Sequence, residues 1–401
     1  MRQLGFLWLR GLAWVAGFLL ATACLVLIAR AVITWDKPCP DYMCFWATGK
    51  IIASGRSPYD FSLQEEVQRE HGWDKATEGL GFYHFLPYFY PPSVLGVVCV
   101  LLVPLGLSTA RMVWLVGNAE LLFLTGYMLR NAVPGVPPMI PILLVPAFGF
   151  SVLAVLVGQL APLILFLIAA AWRLLANRWD RSAGWVLAWM MIKPQLITLL
   201  LVAVLLWSVR QRRWHVMEGL ATGLAVLLLA STWQAPSWPV EWLQAIRQTP
   251  VVTAKYPWVG ATWLLVLRSL GLERWILGLL YLAVAVPFGR VLLRSVLKPS
   301  STVDDVFSLS LLAAFFIAPY ARPYDLPVLL IPLLVLIGRR QLDLWAVGLM
   351  VVLVVLPYAH FIYWVPPGST LMPHHIVFFW VPVLLAVFWF TAYMKPIVVA
   401  H

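Results

Sequence analysis

Asp41 opens the chemical reading of this chain. It stands in Cys39 to Asp60, CPDYMCFWATGKIIASGRSPYD, where Asp41, Lys50, Arg56 and Asp60 sit among aromatics directly after the first long apolar run. A carboxylate at the mouth of a membrane span has partly dry surroundings, which disfavour its charged form and bring it toward the range where a general base works. Aspartate also suits the N-cap of a helix beginning near Tyr42, so two roles stand open. For Asp60 the cap comes first, because SPYDFSLQE reads as a turn followed by a capped helix.

The cations come later in the chain. Arg322 lies in APYARPYDLPVLLIPLL, in a short turn where its guanidinium either grips a phosphate through two hydrogen bonds or anchors in headgroups. Tyr324 and Asp325 follow and are placed to orient it. Lys193 interrupts the apolar run Ala183 to Trp207. Charges within such runs are costly and usually functional, so Lys193 contacts a phosphate, snorkels, or pairs with an acid. Gln159, beside Gly158 at the end of a run, is a polar contact between helices or a ligand contact. Glu120, in mid-run, has Asn118 or an arginine as expected partners.

The elements that position these groups follow from composition. With 62% hydrophobic and 11% charged residues and a mean hydropathy of +0.88, the chain cannot present an ordinary solvated surface. It reads as an all-α integral membrane protein, a single polytopic unit over 1–401. Twelve candidate spans are expected: Gly11 to Ile33, Pro91 to Gly106, Thr109 to Leu129, Pro138 to Val157, Leu160 to Ala176, Ala183 to Trp207, Val216 to Thr232, Trp275 to Leu297, Val306 to Tyr320, Tyr324 to Ile337, Leu342 to Ile362 and His374 to Met394. The first reads as a retained anchor, being longer than the apolar core of a signal peptide.

Basic residues in short loops favour the cytoplasmic side. Arg210, Arg212, Arg213, Arg290, Arg294, Lys298, Arg339, Arg340 and Lys395 share one side if the N terminus is cytoplasmic, as in a bacterial inner membrane. Strict alternation leaves Arg173, Arg178 and Arg181 on the other side, and a broken or re-entrant helix between Asn118 and Lys193, where Pro146, Pro162 and Pro194 interrupt the apolar runs, is the expected cause. The loop 34–90 is then external, acidic, and carries two surface helices, Tyr42 to Ala53 and FSLQEEVQRE. The segment 233–262, rich in tryptophan and proline, reads as a second external loop or lid. Membrane lipids are expected partners of the basic loops. Nucleic acid is not, because the +11 net charge is scattered over many short loops. A Cys39–Cys44 disulfide is one alternative on the external side and free thiols the other. No metal site or cofactor is expected, since two thiols and a carboxylate fall short of a ligand set.

An aspartate followed by aromatics after the first span, then GRSPYD, then YPP opening the second, resembles the membrane glycosyltransferases of family 87. VGQLAPLILFLIAAA, AGWVLAWMMIKPQLITLLLVAVLLW and APYARPYDLPVLLIPLL are similar to the family's later landmarks in the same order. The resemblance implies a GT-C fold with its active site at the external, periplasmic face. It implies inverting transfer of a hexose, mannose first, from a polyprenyl-phosphate donor to a lipid or glycan acceptor. Asp41 would then be the catalytic base, and Lys193, Arg322, Gln159, Tyr90, Asp60, Tyr324 and Asp325 the substrate-binding residues. Arg322 stands where many relatives carry histidine. A polytopic transporter or lipid flippase, or a polysaccharide polymerase or ligase, remains the alternative.

Overall fold

A computed structural model of the chain describes residues 41–73, 85–91, 94–252, 260–363 and 376–394. The run Gly11 to Ile33 and Cys39, one half of the proposed disulfide, lie outside them. All regular elements among the described residues are helical, as expected of an apolar chain that must satisfy its backbone within each segment.

In chain order these are α1 (Tyr42–Ala53), α2 (Phe61–Glu70), α3 (Val94–Leu102), α4 (Gly106–Leu129), α5 (Met139–Ala147), α6 (Gly149–Val157), α7 (Ala161–Ala176), α8 (Asp180–Trp189) and α9 (Pro194–Arg210). Then follow α10 (Trp214–Gln234), α11 (Trp238–Val252), α12 (Trp263–Ser269), α13 (Arg274–Leu297), α14 (Val303–Ile317), α15 (Leu330–Arg339), α16 (Leu344–Tyr363) and α17 (Trp380–Met394).

The count of twelve spans is corrected. Among the described residues, four stretches are long and apolar enough to cross a membrane: Leu95–Leu129, Trp214–Gln234, Arg274–Leu297 and Leu344–Phe361. A fifth exists if α5 and α6, bent by 48° across Phe148, count as one. The other apolar runs among the described residues form shorter helices. Proline and glycine set several breaks: Pro146 precedes the bend, Gly158 ends α6 with a left-handed backbone (φ 83°), and Pro194 opens α9. The bent pair lies within the stretch Asn118 to Lys193, where a broken or re-entrant helix is expected.

The break at Lys193 is the most consequential. A residue before proline is biased away from helical geometry, and Lys193 adopts φ −126°, ψ 69° after a short 3-10 turn, Met190–Ile192. The chain folds back there, so α8 and α9 form a hairpin rather than one straight span from Ala183 to Trp207. Its open ends are tied by Arg213, whose guanidinium pairs with Asp180 and donates to the Leu175 carbonyl at 2.8 Å. α14 and α15 form a second hairpin, closed at its open end by Arg339 and Asp305 at 2.5 Å. Trp172 near the end of α7 donates to Asp304 at 2.8 Å, so α7 ends at that same pole.

Arg173, Arg178 and Arg181 therefore stand with Arg213 and Arg339 at one end of the molecule, contrary to strict alternation. The fold-back at Lys193 supplies the missing change of direction.

The first loop also differs from the expected surface arrangement. α1 is packed along most of its length, with Tyr42 to Gly49 and Ile51 buried. Gly49 makes this possible, because a Cβ there would stand 2.6 Å from the backbone of Cys99 in α3. α2 carries two buried glutamines. Gln64 donates to the Pro58 carbonyl at 2.6 Å and accepts from Tyr88 N–H at 2.8 Å, while Gln68 bonds both backbone groups of Leu86 at 2.8 Å. The two amides hold the extended segment 85–91 against α1 and α2, satisfying its backbone as a neighbouring strand would.

Candidate functional site

Three hairpin tips and the start of α1 converge at the end opposite the arginine cluster. The tips are Gly158–Gln159 between α6 and α7, Lys193 between α8 and α9, and Tyr320–Asp325 between α14 and α15.

Asp41 is anchored by its backbone, whose N–H donates to the Val157 carbonyl at 3.0 Å. It occupies the N-cap position of α1, but its side chain makes no capping hydrogen bond. The carboxylate instead accepts from Gln159 Nε2 at 2.5 Å. Asp41 as a whole is half-buried, yet the packing around its carboxyl is dense, and burial pushes its pKa up from 3.8. The Gln159 hydrogen bond, then the charges of Arg322 and Lys193, pull it part of the way back.

Gln159 is itself buried, and among the described residues its Oε1 has no hydrogen-bond partner. Accepting from that amide, Asp41 fixes its orientation and leaves the carbonyl oxygen for some other donor. The turn is built around Gly158, whose carbonyl accepts from the Trp114 indole at 2.9 Å. The Trp114 ring stacks on Tyr42, the residue after Asp41, with centroids 5.1 Å apart.

Asp325 organises the cations. One of its oxygens pairs with the Lys193 ammonium, and the other accepts from the Arg322 backbone N–H at 2.9 Å. Lys193 and Asp325 are 2% and 1% exposed, and the ammonium also lies 4.9 Å from the Tyr324 ring centre. Of the roles open to Lys193, pairing with an acid is therefore the one seen. Asp325 fixes Arg322 through the backbone, whereas the guanidinium is held by Tyr320, whose hydroxyl accepts from Nε. Tyr320 was not foreseen, although it stands two residues before Arg322 in the same turn.

Tyr90 bridges the two halves. Its ring packs 5.6 Å from Phe45, and its carbonyl accepts from the Tyr59 hydroxyl at 2.8 Å. Burial raises its hydroxyl well above the usual tyrosine range, and Cys44, Asp325, Tyr320 and Asp41 all lie within electrostatic reach. Asp60 stands apart: it is exposed and caps α2 by accepting from Leu63 N–H at 3.1 Å.

The stretch 233–262 touches both halves of the site, although residues 253–259 lie outside the described ones. In α11, Trp242 donates to the Phe89 carbonyl at 2.9 Å, and Glu241 accepts from Ser57 at 2.7 Å. Further on, Ala261 N–H donates to the Ala321 carbonyl at 2.9 Å, beside Arg322.

The cluster thus offers a carboxylate in dry surroundings, an amide oxygen awaiting a donor, and a guanidinium steadied by a phenol. No family model, curated protein or solved structure matches the chain.

Proposed function

We propose that the chain is an inverting glycosyltransferase that moves a hexose from a polyprenyl-phosphate donor to a hydroxyl of a lipid or glycan acceptor. The observation that carries this reading is the use of Asp41. A residue at an N-cap position normally spends its carboxylate on the helix. Here the carboxylate is turned to Gln159 and faces the charges of Arg322 and Lys193.

In this reading Asp41 accepts the proton of the attacking hydroxyl, and the acceptor oxygen bonds to the anomeric carbon from the side opposite the phosphate. The bond between that carbon and the phosphate oxygen breaks, and the electron pair leaves with the lipid phosphate. Arg322 stabilises the departing charge, since a guanidinium matches phosphate oxygens in pairs. Gln159 Oε1 accepts from a sugar hydroxyl, which removes the cost of a buried, unpaired carbonyl. Tyr90, held protonated, is a second hydrogen-bond donor at the boundary between the carboxylate and cation sides. Lys193 and Asp325 act as a brace beneath Arg322. The resemblance to family 87 supplies the choice of donor, with the site facing the periplasm.

The test is transfer by purified protein from a panel of polyprenyl-phosphate hexoses and pentoses to an extracted lipid fraction. Product with at least one donor, lost in Asp41→Asn, is expected. No transfer from any donor, together with solute flux in vesicles, would replace this reading with a transporter.

A further inference from the structure

The outward face of α4, within a stretch long and apolar enough to cross a membrane, carries a carboxylate among exposed apolar residues. Glu120 is exposed there, and Val113, Leu124 and Tyr127 on the same face are 46%, 52% and 56% exposed. Asn118, the neighbour that the sequence offers as its partner, turns inward and donates to the Trp114 carbonyl at 3.1 Å. Depth can be read along the helix. Trp114 is bonded to Gly158 at the site end, and Arg130 closes α4 at the other. Glu120 is six residues from one and ten from the other, about 9 Å and 15 Å along the axis. A charge at that depth is costly, and such residues pair.

The surrounding pattern shows with what. Val113, Gly117, Glu120, Leu124 and Tyr127 follow each other at intervals of four, three, four and three, the spacing of a seam between two supercoiled helices. Gly117 has open space where a Cβ would stand, and small residues let membrane helices approach closely. One polar residue in an apolar seam fixes register and the number of strands.

We propose that this seam joins two copies of the chain, packed through α4 about a two-fold axis along the membrane normal. The axis sets each Glu120 opposite its equal at the same depth. One carboxyl group donates the proton and the other accepts, so each satisfies the other without a basic partner. A helix of another protein would have to carry a complementary group at the matching level, whereas the second copy does so by symmetry.

The experiment is oxidative cross-linking of the full chain in membranes. Gly117→Cys should give a disulfide-linked product of twice the 45.1 kDa chain mass. Leu229→Cys, on the 71%-exposed face of α10, serves as the control and should give about tenfold less. Adding Glu120→Leu to Gly117→Cys should cut the product severalfold, whereas Glu120→Gln, whose amide both donates and accepts, should keep it. Equal product from Leu229→Cys, or an unchanged yield after Glu120→Leu, overturns the proposal. A bridge from Gly117→Cys to Cys24 within one chain also overturns it, and assigns the face to the chain's own first apolar run. Energy transfer between donor- and acceptor-labelled copies of the unsubstituted chain guards against poor thiol geometry. Transfer should persist when the bilayer is diluted with lipid, and its loss overturns the proposal whatever the cross-link yield.

Discussion

At the scale of single residues, Asp41 separates chemistry from folding because its side chain caps nothing. Asp41→Asn keeps the shape and removes only the proton acceptor. The expected result is a melting temperature no lower than that of the unsubstituted chain, with transfer reduced about 100-fold to 10,000-fold; more than about a tenth of the normal rate would remove Asp41 from the role of base. The pH dependence has a fixed sign. In the proposed mechanism ionised Asp41 is the active form, so the rate should rise with pH, and burial places that rise above the ordinary carboxylate value of 3.8. Arg322→Ala removes a charge that favours ionisation and should move the rise to still higher pH; a shift downward contradicts the proximity of the two groups. Stability runs the other way. The fold favours the protonated carboxyl, and this contribution is lost as pH climbs from 3.8 through the raised folded value. Arg322→Lys keeps the charge but loses the planar fork, so it should weaken donor use, while unchanged apparent donor affinity in both Lys and Ala variants would make Arg322 a headgroup anchor.

At the scale of elements, the buried brace between two hairpin tips is the feature most exposed to disruption. Lys193→Met leaves Asp325 buried without its counter-charge, and the loss is about 3–5 kcal/mol. Lys193→Met with Asp325→Leu removes both charges and should recover much of that stability while still impairing transfer, because Arg322 loses the carboxylate that holds its backbone. Thermal unfolding of the single and double variants in detergent checks this, and a double variant no more stable than Lys193→Met refutes the brace. These elements also mark how far the sequence could be read. Asp41, Gln159, Lys193, Arg322 and Asp325 stand out by residue type, since polar groups in apolar runs are few and costly. The convergence of three tips was not legible, because apolar runs look alike whether the chain crosses straight or folds back. Pro194 after Lys193 carried that signal, but a proline opening a helix and a proline kinking one look the same in a sequence. Gln64 and Gln68 gave no hint of their role either. Their positions in FSLQEEVQRE suit a solvated face, and only the segment 85–91 lying against them makes them buried.

At the scale of the whole molecule, the fold-back at Lys193 decides on which side of the membrane the middle of the chain lies. If Ala183 to Trp207 crossed straight, Asn177 and Gln211 would emerge on opposite sides. In the hairpin, Arg213 binds Asp180 and the Leu175 carbonyl, so both loops emerge together. Ser62 lies at the start of α2 in the first loop and is exposed, as is Asn177. Both positions therefore accept a thiol without disturbing the core. With the site on the periplasmic side, a membrane-impermeant thiol reagent should label Ser62→Cys in intact spheroplasts. Asn177→Cys should react only after lysis, as basic loops at the cytoplasmic face require. Cys44 and Cys99 are buried, and the unsubstituted chain supplies the background for the remaining cysteines. Labelling of both variants in intact spheroplasts would restore the straight crossing and detach Lys193 from the Asp325 tip. Labelling of Asn177→Cys alone would invert the molecule and put Asp41 on the cytoplasmic side, where a periplasmic transfer reaction has no place.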